Sequence, residues 1–528
     1  MRGVKRDVNQ LPNIMAFLAP SEIHLPRRSD TNILAGASSI ASIQALAATA
    51  ELAMRSERQY AELGEALVQC LPEPSKTRAL RLLERDNEYR AFGRQQFQIL
   101  QKLVVADASL TAPCPACDLL LLALHLGEWL NRTTTPASLV NRSASLYYSD
   151  NELALMTRFW DIFVINRNHP FLAAKPNYID LELEFQKHVG LSMELYVSLA
   201  FAFATKSIGA RDLTSNSHTA YIISPSSYLS STLVSPAEIE PFFSVASQTV
   251  QDYAALTKGQ MTKRSEPTEE LLWGFQELRQ RPLLRSNTGV VVVANQRYLL
   301  ERATSGIYHC LTESMPASLA GSFRRMFGHM YEFYIRRLLE RVVAMPRTTF
   351  QVEFEKPYGS PEKLTNDALI ASGTDLFVLE VLSTRLTDDA RADGNVDVIL
   401  EVLLRKAVQI HNRLEDFRAG EYDLFGKRFA DYDRIFPVLV TLEHLPQVFL
   451  GGPGSATLMS RLEASISAGR HLDQAGVQPI QIVSAEDLEQ LEGLSARHAD
   501  VLPTVLAKRA PDIKLRHGPL RNVLLGTF

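Results

Sequence analysis

Between residues 321 and 342 apolar side chains recur every three or four positions: Phe323, Met326, Phe327, Met330, Tyr331, Tyr334, Ile335, Leu338, Leu339 and Val342. That spacing predicts one long amphipathic helix. The period then drops to two. "TTFQVEFE" (348–355) alternates as a strand does, and 366–371 and 376–384 read as two apolar strands around the Ser-Gly-Thr-Asp turn at 372–375. The three-to-four period returns in 395–417, with Ile399, Leu403, Ala407, Ile410, Leu414 and Phe417 as its stripe. "RIFPVLVTLEHL" (434–445) reads as a buried strand, 457–469 as a helix, and "VQPIQIVSAEDLEQLEGL" (477–494) as a strand running into a helix. Ser484 is the expected N-cap there, with Asp487 three residues on. The order helix, three strands, helix, strand, helix, strand, helix predicts a layered α/β (α+β) domain, a mixed sheet flanked by helices.

Upstream the patterns are mainly helical. Helices are expected over about 37–71 and 75–105, after "TAPCPACD" (111–118), and over 150–165 and 190–205. Residues 207–237 are rich in Ser and Thr with two Ser-Pro breaks, which reads as a loop or linker region. One or two helices follow, then "RPLLRSNTGVVVVANQRYLLERATSGIYHCL" (281–311), a short strand and a helix. The expected domains are a helical region 1–205, a Ser-rich linker and intermediate region 206–300, the α/β domain 301–500, and a tail 501–528. No internal repeat is visible.

Composition narrows the function. The chain has 528 residues, 46% hydrophobic and 22% charged, with a net charge of −4. This is a folded chain of several domains, without the charge footprint of a generic basic nucleic-acid binder. Four cysteines, Cys70, Cys114, Cys117 and Cys310, are too few for a disulfide scaffold and suit a reducing cytoplasm. The longest apolar run, "LSMELYVSLAFAFA" (191–204), is short and broken by Glu194, so a soluble, cytoplasmic protein without a membrane span is expected. Cys114 and Cys117 form a lone C-x-x-C before a helix. It reads first as a tight structural turn, with a redox pair or a zinc half-site completed by His125 as alternatives. "GGPGSATL" (451–458) lacks the lysine of a phosphate-binding loop and reads as a turn.

Two carboxylates stand out. Asp367 opens the second strand and Glu380 lies inside the third, where a lone charge costs several kcal/mol, of order 2–7, unless paired or bound to a cation. Across a hairpin turning near 372–375 the two fall at one level. Such a pair suits a hard cation, Mg²⁺ or Mn²⁺. It also suits a plain structural role, with Asp367 capping a strand and Glu380 pairing with an arginine such as Arg385. Taken with the element order over about 320–495, the stretch resembles the PD-(D/E)XK, restriction-endonuclease-like nucleases. The resemblance implies metal-dependent phosphodiester hydrolysis of DNA or RNA. It makes Asp367 and Glu380 metal ligands with the Val381 carbonyl, Glu332 in "FGHMYEFY" an auxiliary acid, and Lys406 and Gln409 in "RKAVQI" further site residues. Arg385, Arg391 and Gln409 are candidate nucleic-acid contacts, among a wider set that includes Arg324, Arg325, Arg336, Arg337, Arg405 and Arg413. By analogy alone, such nucleases belong to bacterial defence or mobile-element systems.

The chain departs from the family at one position. The lysine of the E-x-K motif falls at Leu382, which can neither orient a water nor stabilise charge. Two readings follow. Either Lys406 reaches in from the next helix and the domain is a nuclease, or the site is silent and the domain binds nucleic acid, a partner protein or a second copy of itself.

Overall fold

The helix expected over 321–342 forms, running Ala317–Val343. It belongs to a computed structural model that describes residues 16–17, 20–25, 57–85, 89–92, 96–97, 99–100, 102, 116–133, 152–176, 178–208, 222–262, 275–285, 289–384, 397–445, 458–512 and 515–516. Helix outweighs strand, about 58% to 13%, but the strands gather into two mixed sheets flanked by helices, so the fold is α+β. The chain divides into two units: 1–143 with 181–315, and 144–180 with 316–528.

The second unit carries the predicted pattern. Its main helices are α1 (Glu152–Trp160), α2 (Ala317–Val343), α3 (Asp397–Arg418), α4 (Leu458–Ala468), α5 (Ala485–Ser495) and α6 (Val501–Arg509). Its main strands are β1 (Gln351–Phe354), β2 (Ala368–Ser372), β3 (Asp375–Leu382), β4 (Arg434–Thr441) and β5 (Gln481–Ser484), in the order β5-β4-β3-β2-β1. β1, β2 and β3 run antiparallel in succession, whereas β4 and β5 lie parallel to β3. Antiparallel neighbours need only a tight turn, and parallel ones need a crossover, which α3 and α4 supply. Ser372 pairs with Asp375, leaving a two-residue turn in which Gly373 takes φ +62°; that positive angle suits glycine.

β3 lies at the centre, buried along both faces. Leu376, Val378 and Leu382 share a face and an apolar cluster with the α3 stripe: Ile399, Leu403, Ala407, Ile410, Leu414 and Phe417. Ser484 caps α5 in a reciprocal box with Asp487, as its spacing predicted.

Several boundaries differ from the sequence-based expectation. The segment 150–165 falls in the second unit rather than in an N-terminal domain. There Arg158 of α1 is fully buried and holds Glu489 of α5 with two bonds, 2.6 and 3.0 Å, and donates to the Leu442 carbonyl at 2.8 Å. The expected tail includes α6, whose Val501, Leu502, Val505 and Leu506 are buried at helical spacing.

In the first unit, the helix expected over 75–105 ends at Arg85, and a short strand follows at Tyr89–Arg90. The expected linker and intermediate region, 206–300, contributes a four-stranded sheet: Ile222–Ile223, Val291–Val293, Leu283–Arg285 and Ser247–Thr249. Its apolar pieces are short, but two of the four strands are Val- and Leu-rich, and all bury part of their length. Cys117 is bonded to Cys70, joining the helices Glu57–Cys70 and Ala116–Thr133, so it does not pair within its own C-x-x-C; Cys114 lies outside the described residues. Among the described residues no single helix is long and apolar enough to cross a membrane. One bent pair, Leu181–Val189 with Met193–Lys206, passes by composition only. Its Leu181, Phe185, Tyr196, Ala200 and Phe203 are buried core residues.

Candidate functional site: a buried carboxylate pair bridged by lysine

Glu380 sits on the β3 face that packs against α3, with no exposed surface. Alternation forces this: the side chains two before and two after it, Val378 and Leu382, belong to the α3 cluster. A carboxylate there must be paired. Lys406 Nζ donates to Oε2 at 3.0 Å, Asn366 Nδ2 donates to Oε1 at 2.7 Å, and the Arg413 guanidinium also donates to Oε1. Lys406 and Arg413 are seven residues, two turns, apart on α3, so both side chains leave the same face of the helix. The structural alternative pairs Glu380 with an arginine such as Arg385; that residue and Arg391 lie outside the described residues, and among the described ones Arg413 makes such a pair.

Asp367 precedes β2 by one residue. Its Oδ2 accepts from the Val381 backbone N–H at 2.7 Å, which ties the start of β2 to the end of β3. The same oxygen lies 3.9 Å from Lys406 Nζ, and the side chain is 12% exposed. Lys406 therefore stands between the two acids. Burial raises the Asp367 pKa well above its ordinary value; Glu380 and, further off, Glu332 add to that, while Lys406 and the Val381 N–H oppose it. For Lys406, burial works to lower the pKa, but Glu380 and Asp367 outweigh it, and the net shift is upward. The ammonium stays protonated at neutral pH.

Leu382 is 4% exposed, in the cluster with Ile399 and Leu403. The position where the resemblance puts a lysine is thus apolar core, and the cation near the acids comes from one turn beyond Leu403 on the facing helix.

The remaining expected residues fall around this centre. Glu332, on α2, is 37% exposed, bonds His329 at 3.2 Å, and reaches Asp367 only through its field. Gln409, with its amide turned to suit its neighbour, accepts from both Arg413 Nη atoms at 2.6 and 3.2 Å. It buttresses the arginine and does not join the acids. A cleft of about 370 Å³ opens beside Gln409 and Arg413, lined also by Tyr358, Lys363, Arg405 and Asn412 among others.

Three members had not been singled out from sequence: Asn366, Glu355 and Lys175. Asn366 adjoins Asp367. Glu355, one residue past β1, has its pKa raised by partial burial and by Glu332, against the pull of Lys175 and Arg413. Its side chain is open to solvent by surface area, so screening keeps that effect small. Lys175 comes from a distant segment, and no local pattern announces it. Arg413, named in the sequence as one of the wider set of candidate nucleic-acid contacts, lies two turns along the helix from Lys406 and bonds Glu380.

Two largely buried carboxylates are an oxygen donor pair of the kind that suits Mg²⁺ or Mn²⁺. Among the described residues no three His, Cys, Asp or Glu side chains converge as a ready metal cage. In the structure itself the acids are bridged by Lys406. No family model matches the chain, and neither does any curated protein or any solved structure.

Proposed function

We propose that the chain is a metal-dependent nuclease of the PD-(D/E)XK type, hydrolysing DNA or RNA, in which the lysine of the E-x-K motif has moved to α3. One observation carries this reading: Lys406 Nζ lies 3.0 Å from Glu380 and 3.9 Å from Asp367. The side chains present fit a divalent cation held by Asp367 and Glu380 with the Val381 carbonyl. Such an ion supplies Lewis acidity at the phosphoryl oxygen and a more acidic water. The protonated Lys406 acts as a fixed positive charge and donor toward developing phosphoryl charge, not as a base. Glu332 and Glu355 hold negative charge at the rim. Arg413 and Gln409, on the cleft side, face an incoming phosphate backbone.

A second reading has its own observation. Both Glu380 oxygens are already engaged, by Asn366, Lys406 and Arg413. A carboxylate so satisfied serves as a structural ion-pair centre, and the domain then binds nucleic acid or a partner protein without cutting. Incubation of the purified chain with DNA and RNA in Mg²⁺ or Mn²⁺ separates the two. The nuclease reading expects cleavage that Asp367→Ala and Lys406→Ala each reduce by at least about 100-fold, the scale of losing one preorganised charge. Absence of cleavage with either metal sinks it.

A role in bacterial defence or mobile-element biology, and a cytoplasmic location, belong to this proposal. The bonded pair Cys70–Cys117 runs against the location, because disulfides persist in oxidising compartments.

A further inference from the structure

Beside the acids, the segment 169–175 and the helix α2 build a surface that the proposed chemistry does not use. Phe171 stacks on Phe333 with ring centres 5.2 Å apart and 20° between planes, and His169 lies 4.4 Å from Phe333. Lys175 Nζ stands 4.6 Å from the Phe171 ring centre. The Arg336 guanidinium stands 5.4 Å from the same centre and 4.6 Å from that of Phe354. Phe333 is buried and anchors the stack, while Phe171, Lys175, Arg336 and Phe354 are half-buried. Arg336 also pairs with Glu340 at 3.0 Å.

The place of this surface is telling. Arg336 is one turn along α2 from Glu332, and Phe354 adjoins Glu355. The Glu355 backbone N–H donates to the Asp367 carbonyl at 3.3 Å. The alternation of aromatic rings and cations therefore begins at the rim of the acid pair. Cations pinned over rings are pre-oriented donors that lose little freedom when they meet an anion. A ring backed by a buried partner is a firm platform for a flat group. Rings with interleaved cations are what a polynucleotide strand needs: faces for bases and charges for phosphates. Duplex bases already stack on one another, so only an unpaired strand can use the rings.

We propose that Phe171, Lys175, Arg336 and Phe354 form a track for single-stranded nucleic acid leading to the Asp367–Glu380 site. The track rests on the nuclease reading only for its direction, and its binding is separable from cleavage.

The test is fluorescence anisotropy in EDTA, where no cutting occurs, with labelled oligothymidylate, oligouridylate and a blunt DNA duplex. The full-length wild type is compared with Phe171→Leu and Lys175→Gln; leucine keeps apolar volume without a π face, and thermal melts confirm that both variants fold. Single strands are expected to bind more tightly than the duplex. Phe171→Leu should weaken single-strand binding about tenfold, the scale of one lost base stack. Lys175→Gln should lower the slope of log affinity against log salt by about 0.7, one phosphate contact on a single strand. The two oligomers decide between DNA and RNA. Loss of single-strand binding in the folded variants supports the track even where the wild type never cleaves. Equal binding by wild type and both variants, or no binding at all, overturns it even where the wild type cleaves.

Discussion

At the scale of single residues, the site turns on where one positive charge is stored. Leu382 is buried among Ile399 and Leu403, and a lysine there would push an ammonium into apolar core. Leu382→Lys should therefore lower stability in urea unfolding, by on the order of 3 kcal/mol, the cost of an uncompensated buried charge, without raising any cleavage rate. Lys406 fills the charge role from the opposite side. Its loss in Lys406→Met leaves fully buried Glu380 with Arg413 and Asn366. We expect destabilisation of a similar size, on the order of 3 kcal/mol, and most of it recovered in Lys406→Arg. Asp367 has a definite pH signature. Burial, and then the Glu380 charge, raise its pKa above the ordinary 3.8. The folded chain thus keeps a proton that the unfolded chain has released. Between the two values stability falls as pH rises, and above the folded value that loss is complete. Asp367→Asn removes the effect and keeps an acceptor for the Val381 N–H. In metal-free buffer the variant should melt higher than wild type at about pH 7, and the difference should vanish toward about pH 3, below both values, where both states protonate Asp367. A constant difference across that range would refute the assigned cause.

At the scale of elements, α3 does two things with one face. Its stripe covers the apolar side chains of β3, and Lys406 and Arg413 emerge from the same helix onto Glu380. The stripe was legible because its residues repeat at helical spacing. The convergence of two cations on one acid was not, because it depends on α3 lying over β3 in a particular register. The capping box at Ser484 was legible for the opposite reason: both partners lie within three residues. Ser484→Ala should cost about 1 kcal/mol in urea unfolding. Arg434 and Asp375 pair bidentately at 2.8 and 2.6 Å, but the arginine is half exposed. Arg434→Ala should therefore cost less than Ser484→Ala, within about 1 kcal/mol. The reverse order would show that the surface pair outweighs the cap.

At the scale of the molecule, the unit with the acids is assembled from two stretches of chain. Residues 144–180 bring Arg158 to Glu489 and Phe163 into a stack with Phe327, ring centres 5.7 Å apart. They also bring Lys175 and Phe171 to the rim of the site. Expressed alone, 316–528 would leave Glu489 without its guanidinium and Phe327 without its cover. We expect it to aggregate or to melt well below the full chain, and a peptide of 144–180 added in trans to raise its melting temperature. A stable, soluble 316–528 would show that the earlier segment is dispensable.

Hydrophobic period was enough to predict the order helix, three strands, helix, strand, helix, strand, helix, and to place Asp367 and Glu380 at one level of a hairpin. Those are local facts, written in spacings of two, three and four residues. Tertiary structure alone decided that residues 152–176 join that unit, that the Ser-rich stretch shares a sheet, and that Cys117 bonds Cys70. It alone put Lys406 between the two carboxylates and Leu382 in the core. Each of these joins residues far apart in the chain. Charge and apolar contact act through space, so their outcome depends on which faces meet when the elements pack.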